Sequence, residues 1–141
     1  MVERTLRRKL NPKNKRRRFV QELKATSTTL PIKKYFYRNI RDVDFSIYSI
    51  TLNKKRVYPH LIENKARVYN WVARMLLDQI DVTVADTQIS LIISHRDSQE
   101  DLCLSAVDLF SWGVFRKYEK KNVDWYDVFR KKIRYENLYL K

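Results

Sequence analysis

Apolar and polar positions along the chain switch between two spacings. Leu6 and Leu10, four apart, mark one apolar stripe of a short basic helix, and Asn11-Pro12 ends it. Phe19 to Lys24 reads as a strand with Val20, Glu22 and Lys24 on one face, because strand side chains alternate. A polar break at Thr26 to Thr29 follows. Thr29 with Pro31 is a helix start, and Ile32, Tyr35, Phe36 and Ile40 give that helix its apolar stripe. From Phe45 to Leu52 the alternation is strict. Phe45, Ile47, Ser49 and Thr51 take one side and Tyr48, Ile50 and Leu52 the other, as in an internal strand with apolar cover on both faces.

The longest helix predicted runs from Pro59 to Gln79, with Leu61, Ala66, Val68, Val72, Met75 and Leu76 near the 3.6 period. Thr87 to Ser94 returns to a strand pattern. Ser98 is the expected N-cap of a nearly all-apolar helix from Leu102 to about Tyr118, too hydrophobic to lie on a surface. Asp124 to Ile133 predicts a last amphipathic helix through Trp125, Val128, Phe129 and Ile133. Strands separated by helices define an α/β class. No repeat or linker divides the chain, so residues 1–141 are expected to form a single domain, with 1–18 as a basic N-terminal segment.

Composition narrows the function classes. The 141 residues are 44% hydrophobic and 13% aromatic, enough for a packed core and against wholesale disorder. A single glycine argues against Gly-rich phosphate loops, and a single cysteine, Cys103, excludes an intramolecular disulfide framework and a cysteine-rich zinc site. No apolar run approaches the roughly 20 residues of a membrane span, and no apolar h-region follows the basic start. The expectation is a cytoplasmic protein with no membrane partner. Thirty Lys and Arg against sixteen Asp and Glu give a formal charge of +14. Nine of those cations, Arg4, Arg7, Arg8, Lys9, Lys13, Lys15, Arg16, Arg17 and Arg18, follow one another with no intervening acid. Such a block is either a solvated face or a phosphate-binding one, which gains affinity by releasing condensed counterions.

Few side chains offer catalytic chemistry. Asp108 sits among residues expected to pack, and a buried carboxylate needs a partner. Ser105 and Ser111, each three residues away, would serve; so would a divalent metal or a reacting proton. Glu22 and Lys24, two apart on a strand, suit either a Mg²⁺ ligand beside a phosphate-holding ammonium or an ordinary exposed edge pair. His95 follows a predicted strand and is either a general base or a solvated loop histidine. Trp112 with Arg116, and Trp125 with Arg130, offer base-stacking pairs, although core packing suits both indoles better.

Taken in order, Glu22-Leu-Lys24-Ala-Thr26, Asn64-Lys-Ala-Arg-Val-Tyr69-Asn70, Ser94-His-Arg-Asp-Ser98, Ala106-Val-Asp108-Leu and Phe115-Arg-Lys-Tyr-Glu119 with Trp125-Tyr-Asp-Val-Phe129 resemble the domain-of-unknown-function 3800 family. The likeness runs from about Glu3 to Ile133. It implies a ribonuclease-H-like mixed sheet flanked by helices and a metal-dependent nuclease chemistry using Mg²⁺ or Mn²⁺. By the same resemblance Glu22 and Asp108 stand at acidic, metal-holding positions and Lys24 at the basic position beside the first. Members of that family open with a strand carrying Asp-Glu-Ser-Gly and carry an Asp-Arg motif after a strand like Gln88 to Ile92; neither segment is present. The expectation is therefore a truncated, internally shortened relative with impaired or absent nuclease activity. The alternative is a non-catalytic module gripping nucleic acid through Arg7, Arg8, Lys13, Lys15, Arg16, Arg17 and Arg18. A third expectation is self-association through an exposed sheet edge.

Overall fold

A computed structural model describes residues 5, 23–58, 64–80 and 102–140. The chain divides into two compact units, one from residues 1–45 and 93–131 and the other from 46–92 and 132–141. Helices and strands are mixed, with one parallel two-stranded sheet, as the α/β class requires. The nine cations from Arg4 to Arg18, Glu22, the strand expected at Thr87 to Ser94, His95 and the cap expected at Ser98 lie outside the described residues.

In the first unit Lys24 is extended, but neither it nor Leu23 belongs to a strand, and Ala25–Ser27 forms a 3-10 turn. Helix α1, Leu30–Ile40, begins where Thr29 and Pro31 predict. Thr29 keeps the extended backbone of a cap, and its carbonyl accepts the N–H of Lys33 at 3.0 Å. Phe36 points into the core, while Ile32, Tyr35 and Ile40 are half-buried.

Helix α2, Lys65–Leu77, belongs to the second unit. Helix α3, Leu102–Lys120, spans nineteen residues of the first. Ser105, Leu109, Gly113 and Val114 line its buried side. The expectation that its apolar character would bury it all round is corrected: Leu104, Val107 and Phe115 are exposed, Val107 by 56%. Apolar positions encircle this helix, but only one stripe of it meets the core. Its end is set by Lys121 in the left-handed region (φ 53°), after which the Asn122 N–H returns to the Arg116 carbonyl at 3.2 Å.

Helix α4, Tyr126–Phe129, is one turn long and docks on α3. The Trp125 indole N–H donates to the Leu109 carbonyl at 2.6 Å inside the core, so its polar edge is satisfied where the ring is buried. Phe110 gathers the aromatic cluster, with ring centroids 6.2 Å from Phe36, 5.8 Å from Phe45, 6.1 Å from Trp125 and 5.0 Å from Phe129. The chain's one glycine lies beneath this cluster. A Cβ on Gly113 would stand 2.6 Å from Phe129 Cε1 and 2.9 Å from Trp125 Cδ1, closer than carbon atoms approach. Glycine is disfavoured in a helix interior by about 1 kcal/mol relative to alanine, and here its missing side chain is the space the Phe129 ring occupies.

The helix predicted from Asp124 to Ile133 is also corrected. It stops at Phe129; Arg130–Lys132 is a 3-10 turn and Ile133–Tyr139 is strand β2. Ile133, Tyr135 and Tyr139 alternate with Arg134 and Glu136, a period of two that a nearby strand can exploit.

That strand is β1, Ile47–Leu52, in the second unit. The pair is parallel, joining Ile47 to Ile133 and then Tyr48 to Tyr135, so that Arg134 forms an irregularity. Ladder pairing continues to Leu52 opposite Tyr139, and the Asn53 N–H donates to the Tyr139 carbonyl at 3.1 Å. Every residue of β1 is half-buried, in keeping with apolar cover on both faces. Helix α2, Lys65–Leu77, packs on β1 and starts at Asn64, whose side-chain oxygen accepts the Arg67 N–H at 3.1 Å. The residues of the helix expected before Asn64, 59–63, lie outside the described set. The Trp71 ring meets Tyr139 edge-on at 4.7 Å.

Candidate functional site

Two of the segments that sequence reasoning singled out come together in the first unit. Leu23 and Ala25 are almost fully buried and anchor the turn on the core, leaving Lys24 between them exposed. The peptide unit that joins Lys24 to Ala25 is held at both of its polar groups. Its N–H, on Ala25, donates to Asp108 Oδ2 at 2.8 Å. Its carbonyl, on Lys24, accepts from Thr28 Oγ1 at 2.6 Å and from the Ser27 N–H at 3.2 Å. A carboxylate on a main-chain N–H is a charge-assisted bond, stronger than a neutral one.

Asp108 therefore departs from expectation in two respects. It is exposed rather than buried among the packing residues of α3, and its partner is a backbone N–H rather than Ser105 or Ser111. Helical geometry explains both. Asp108 lies on the solvent side next to the Leu109 stripe, where the Lys24–Ala25 turn meets the helix. Ser105, one turn earlier, turns further toward the core: it is fully buried, and among the described residues its Oγ has no hydrogen-bond partner. Ser111 is exposed.

Beside this turn lies an open polar cleft of about 300 Å³, lined by Ala25, Thr26, Lys33, Trp112, Arg116 and Asp124 among others. Trp112 is half-exposed and stacks on Phe115 with centroids 5.2 Å apart. Two cations converge on its indole: Lys33 Nζ at 5.8 Å and Arg116 Cζ at 6.0 Å from the ring centroid. Lys33 is only 6% exposed although it carries a charge. The sequence offered Trp112 with Arg116 as a pair but favoured a core role for the indole, which is instead half-exposed; the contribution of Lys33 was not visible, since a lysine one turn into a helix normally reads as a solvated residue. Trp125 is a core residue, as its periodicity implied, and Arg130 is exposed.

The donor set near Asp108 is poor in acids. One Asp108 oxygen is engaged by the Ala25 N–H, and Glu22 lies outside the described residues. Among the described residues no three His, Cys, Asp or Glu side chains gather into a group. Two-ion phosphoryl chemistry uses carboxylates that clamp ions on the order of 4 Å apart. The described residues do not fit such a centre. Among the described residues no helix is long and apolar enough to cross a membrane. The chain matches no family model, no curated protein and no solved structure.

Proposed function

We propose that this chain is a nucleic-acid-binding protein with the ribonuclease-H-like architecture its motifs resemble, and that its own hydrolytic activity is impaired or absent. The observation that carries the reading is the bond between Asp108 and Ala25. It joins the Glu22 to Thr26 segment to the Ala106 to Leu109 segment, two stretches that the resemblance assigns to one site. It also commits an oxygen of Asp108 to the main chain, so that the carboxylate positions the turn bearing Lys24. The charge of +14 supports a polyanionic partner, since each cation placed on a phosphate releases counterions.

In this reading the cations of residues 4–18 grip the phosphate backbone, and Lys24 adds a charge beside Asp108. Two measurements test the proposal. Affinity for nucleic acid falls steeply with salt, and the slope becomes shallower when Arg16, Arg17 and Arg18 are neutralised; an affinity indifferent to salt overturns the binding reading. Incubation with Mg²⁺ or Mn²⁺ gives little cleavage. Robust cleavage abolished by Asp108→Ala would instead establish an intact nuclease centre.

A further inference from the structure

We infer that the second unit carries a stacking surface for single-stranded nucleic acid. Trp71 and Tyr69 each take one base, and the cations around them take the phosphates. Two adjoining apolar grooves, of about 350 and 390 Å³, lie where α2 packs beside Leu52, the last residue of β1. They share Leu52, Val57 and Val68 as a common wall. Trp71 and Arg67 line the first groove, and Tyr69, Lys54 and Lys65 the second. Trp71 is 45% exposed and Tyr69 62%. Single exposed apolar side chains are ordinary on a protein surface. Here each ring stands with a cation in a groove of its own, and the pattern repeats on both sides of Val68. A base offers a flat π-face to such a ring whatever its identity, and the phosphate beside it calls for a nearby positive charge.

Anchored elements present the cations. Lys54, Lys55 and Arg56 form a 3-10 turn, and all three are exposed. Asn53 fixes the start of that turn. Its N–H donates to the Tyr139 carbonyl on β2 at 3.1 Å, and its side-chain oxygen accepts the Lys55 N–H at 3.2 Å. Lys65 and Arg67 are exposed in the first turn of α2, which Asn64 caps. Cations at a helix N-terminus oppose its dipole, and a phosphate held there is favoured by both. Stations fixed in advance spare part of the ordering cost of binding. A basic helix with exposed rings also suits an anionic membrane, but such a helix separates its cations and apolar residues onto opposite faces. The exposed positions of α2 mix them, as Arg67, Tyr69, Trp71 and Arg74 show, which favours a strand whose bases and phosphates alternate. The inference rests on the nucleic-acid reading for the ligand and adds where in the second unit its bases stack.

The test uses the full chain with a labelled single-stranded oligonucleotide, the matching duplex and anionic phospholipid vesicles, each at several salt concentrations. Tyr69→Ala and Trp71→Ala are each expected to weaken single-strand binding about tenfold, as the loss of one stacked base does, and to leave the salt slope unchanged. Tyr69→Phe keeps the ring and should keep the affinity. Arg67→Gln should lower the slope by about one. Duplex affinity should be the same in the aromatic variants, because paired and stacked bases offer no face to a side chain. Trp71 also packs edge-on against Tyr139, so the decision falls on the more exposed Tyr69. If the parent chain binds the strand in a salt-dependent way and Tyr69→Ala binds it equally well, the stacking surface is overturned and the nucleic-acid reading stands. Equal losses on strand and duplex have the same consequence. A parent chain that binds neither strand nor duplex overturns both, and vesicle binding lost in the same two variants would then assign the surface to a membrane.

Discussion

Asp108 and Ala25 are separated by 83 positions in the chain, and the carboxylate of one holds the backbone N–H of the other at 2.8 Å. Ala25 is 1% exposed, so its N–H has little recourse to water if that carboxylate is removed. Asp108→Ala is expected to lower stability by about 1–2 kcal/mol, the cost of an unpaired main-chain donor. Asp108→Asn retains a side-chain oxygen acceptor and should recover most of that loss. Chemical denaturation of both variants checks the difference. Equal destabilisation would show that the negative charge, and not the acceptor, holds the turn.

Gly113 gives a prediction opposite in sign to helix propensity. Alanine is favoured over glycine in a helix interior by about 1 kcal/mol. At this position, however, the added methyl would meet Phe129 at 2.6 Å and Trp125 at 2.9 Å, and both rings are buried. Overpacking of a core costs about 1–3 kcal/mol. Gly113→Ala should therefore lower the melting temperature. A rise would mean that the Phe129 ring yields at little cost.

Ser105 is expected to behave in the reverse way. Among the described residues its hydroxyl is buried without a hydrogen-bond partner, a situation that disfavours the folded state. Ser105→Ala removes the hydroxyl, improves helix propensity and should raise stability by about 1 kcal/mol. A thermal melt showing marked destabilisation would reveal that the hydroxyl takes part in folding.

Tyr37 predicts an alkaline limit. Burial holds its phenol above the ordinary tyrosine value, against the lowering influence of Arg41 and with a smaller raising influence from Asp42. Below pH 10 the phenol is protonated whether the chain is folded or not, and its contribution is fully present. Above that, the unfolded chain loses the proton first, so stability falls as pH rises through the folded value. Tyr37→Phe should flatten the fall measured between pH 9 and 11, a window on either side of the ordinary tyrosine value of about 10. An unchanged slope would assign the alkaline loss to other groups.

Local pattern made part of this molecule legible. Thr29 and Pro31 announced α1, strict alternation announced β1, and the apolar run from Leu102 announced α3. Strand β2 was missed because Trp125, Val128, Phe129 and Ile133 continue a helical period, while the two-residue period becomes apparent only beyond Lys132. Its partner β1 decides between them, and that choice is tertiary. Asp108 stood out as a carboxylate in an apolar stretch, but a bond to a backbone N–H has no sequence signature at the accepting end. Lys33 gave no signal at all, since its burial depends on the arrival of Trp112 from another helix.

The parallel pairing of β1 with β2 also bears on how this protein is made. The Ile47–Leu52 segment leaves the ribosome without a charge or a proline, rich in β-branched and aromatic residues. Its ladder partner emerges only after roughly eighty further residues, a loop whose closure entropy must be met before the pairing gains anything. During that interval the segment resembles an aggregation-prone stretch awaiting protection. Slower synthesis at reduced temperature, or a chaperone that shields Ile47–Leu52 until Ile133–Tyr139 appears, should therefore raise the soluble yield, whatever the finished protein binds.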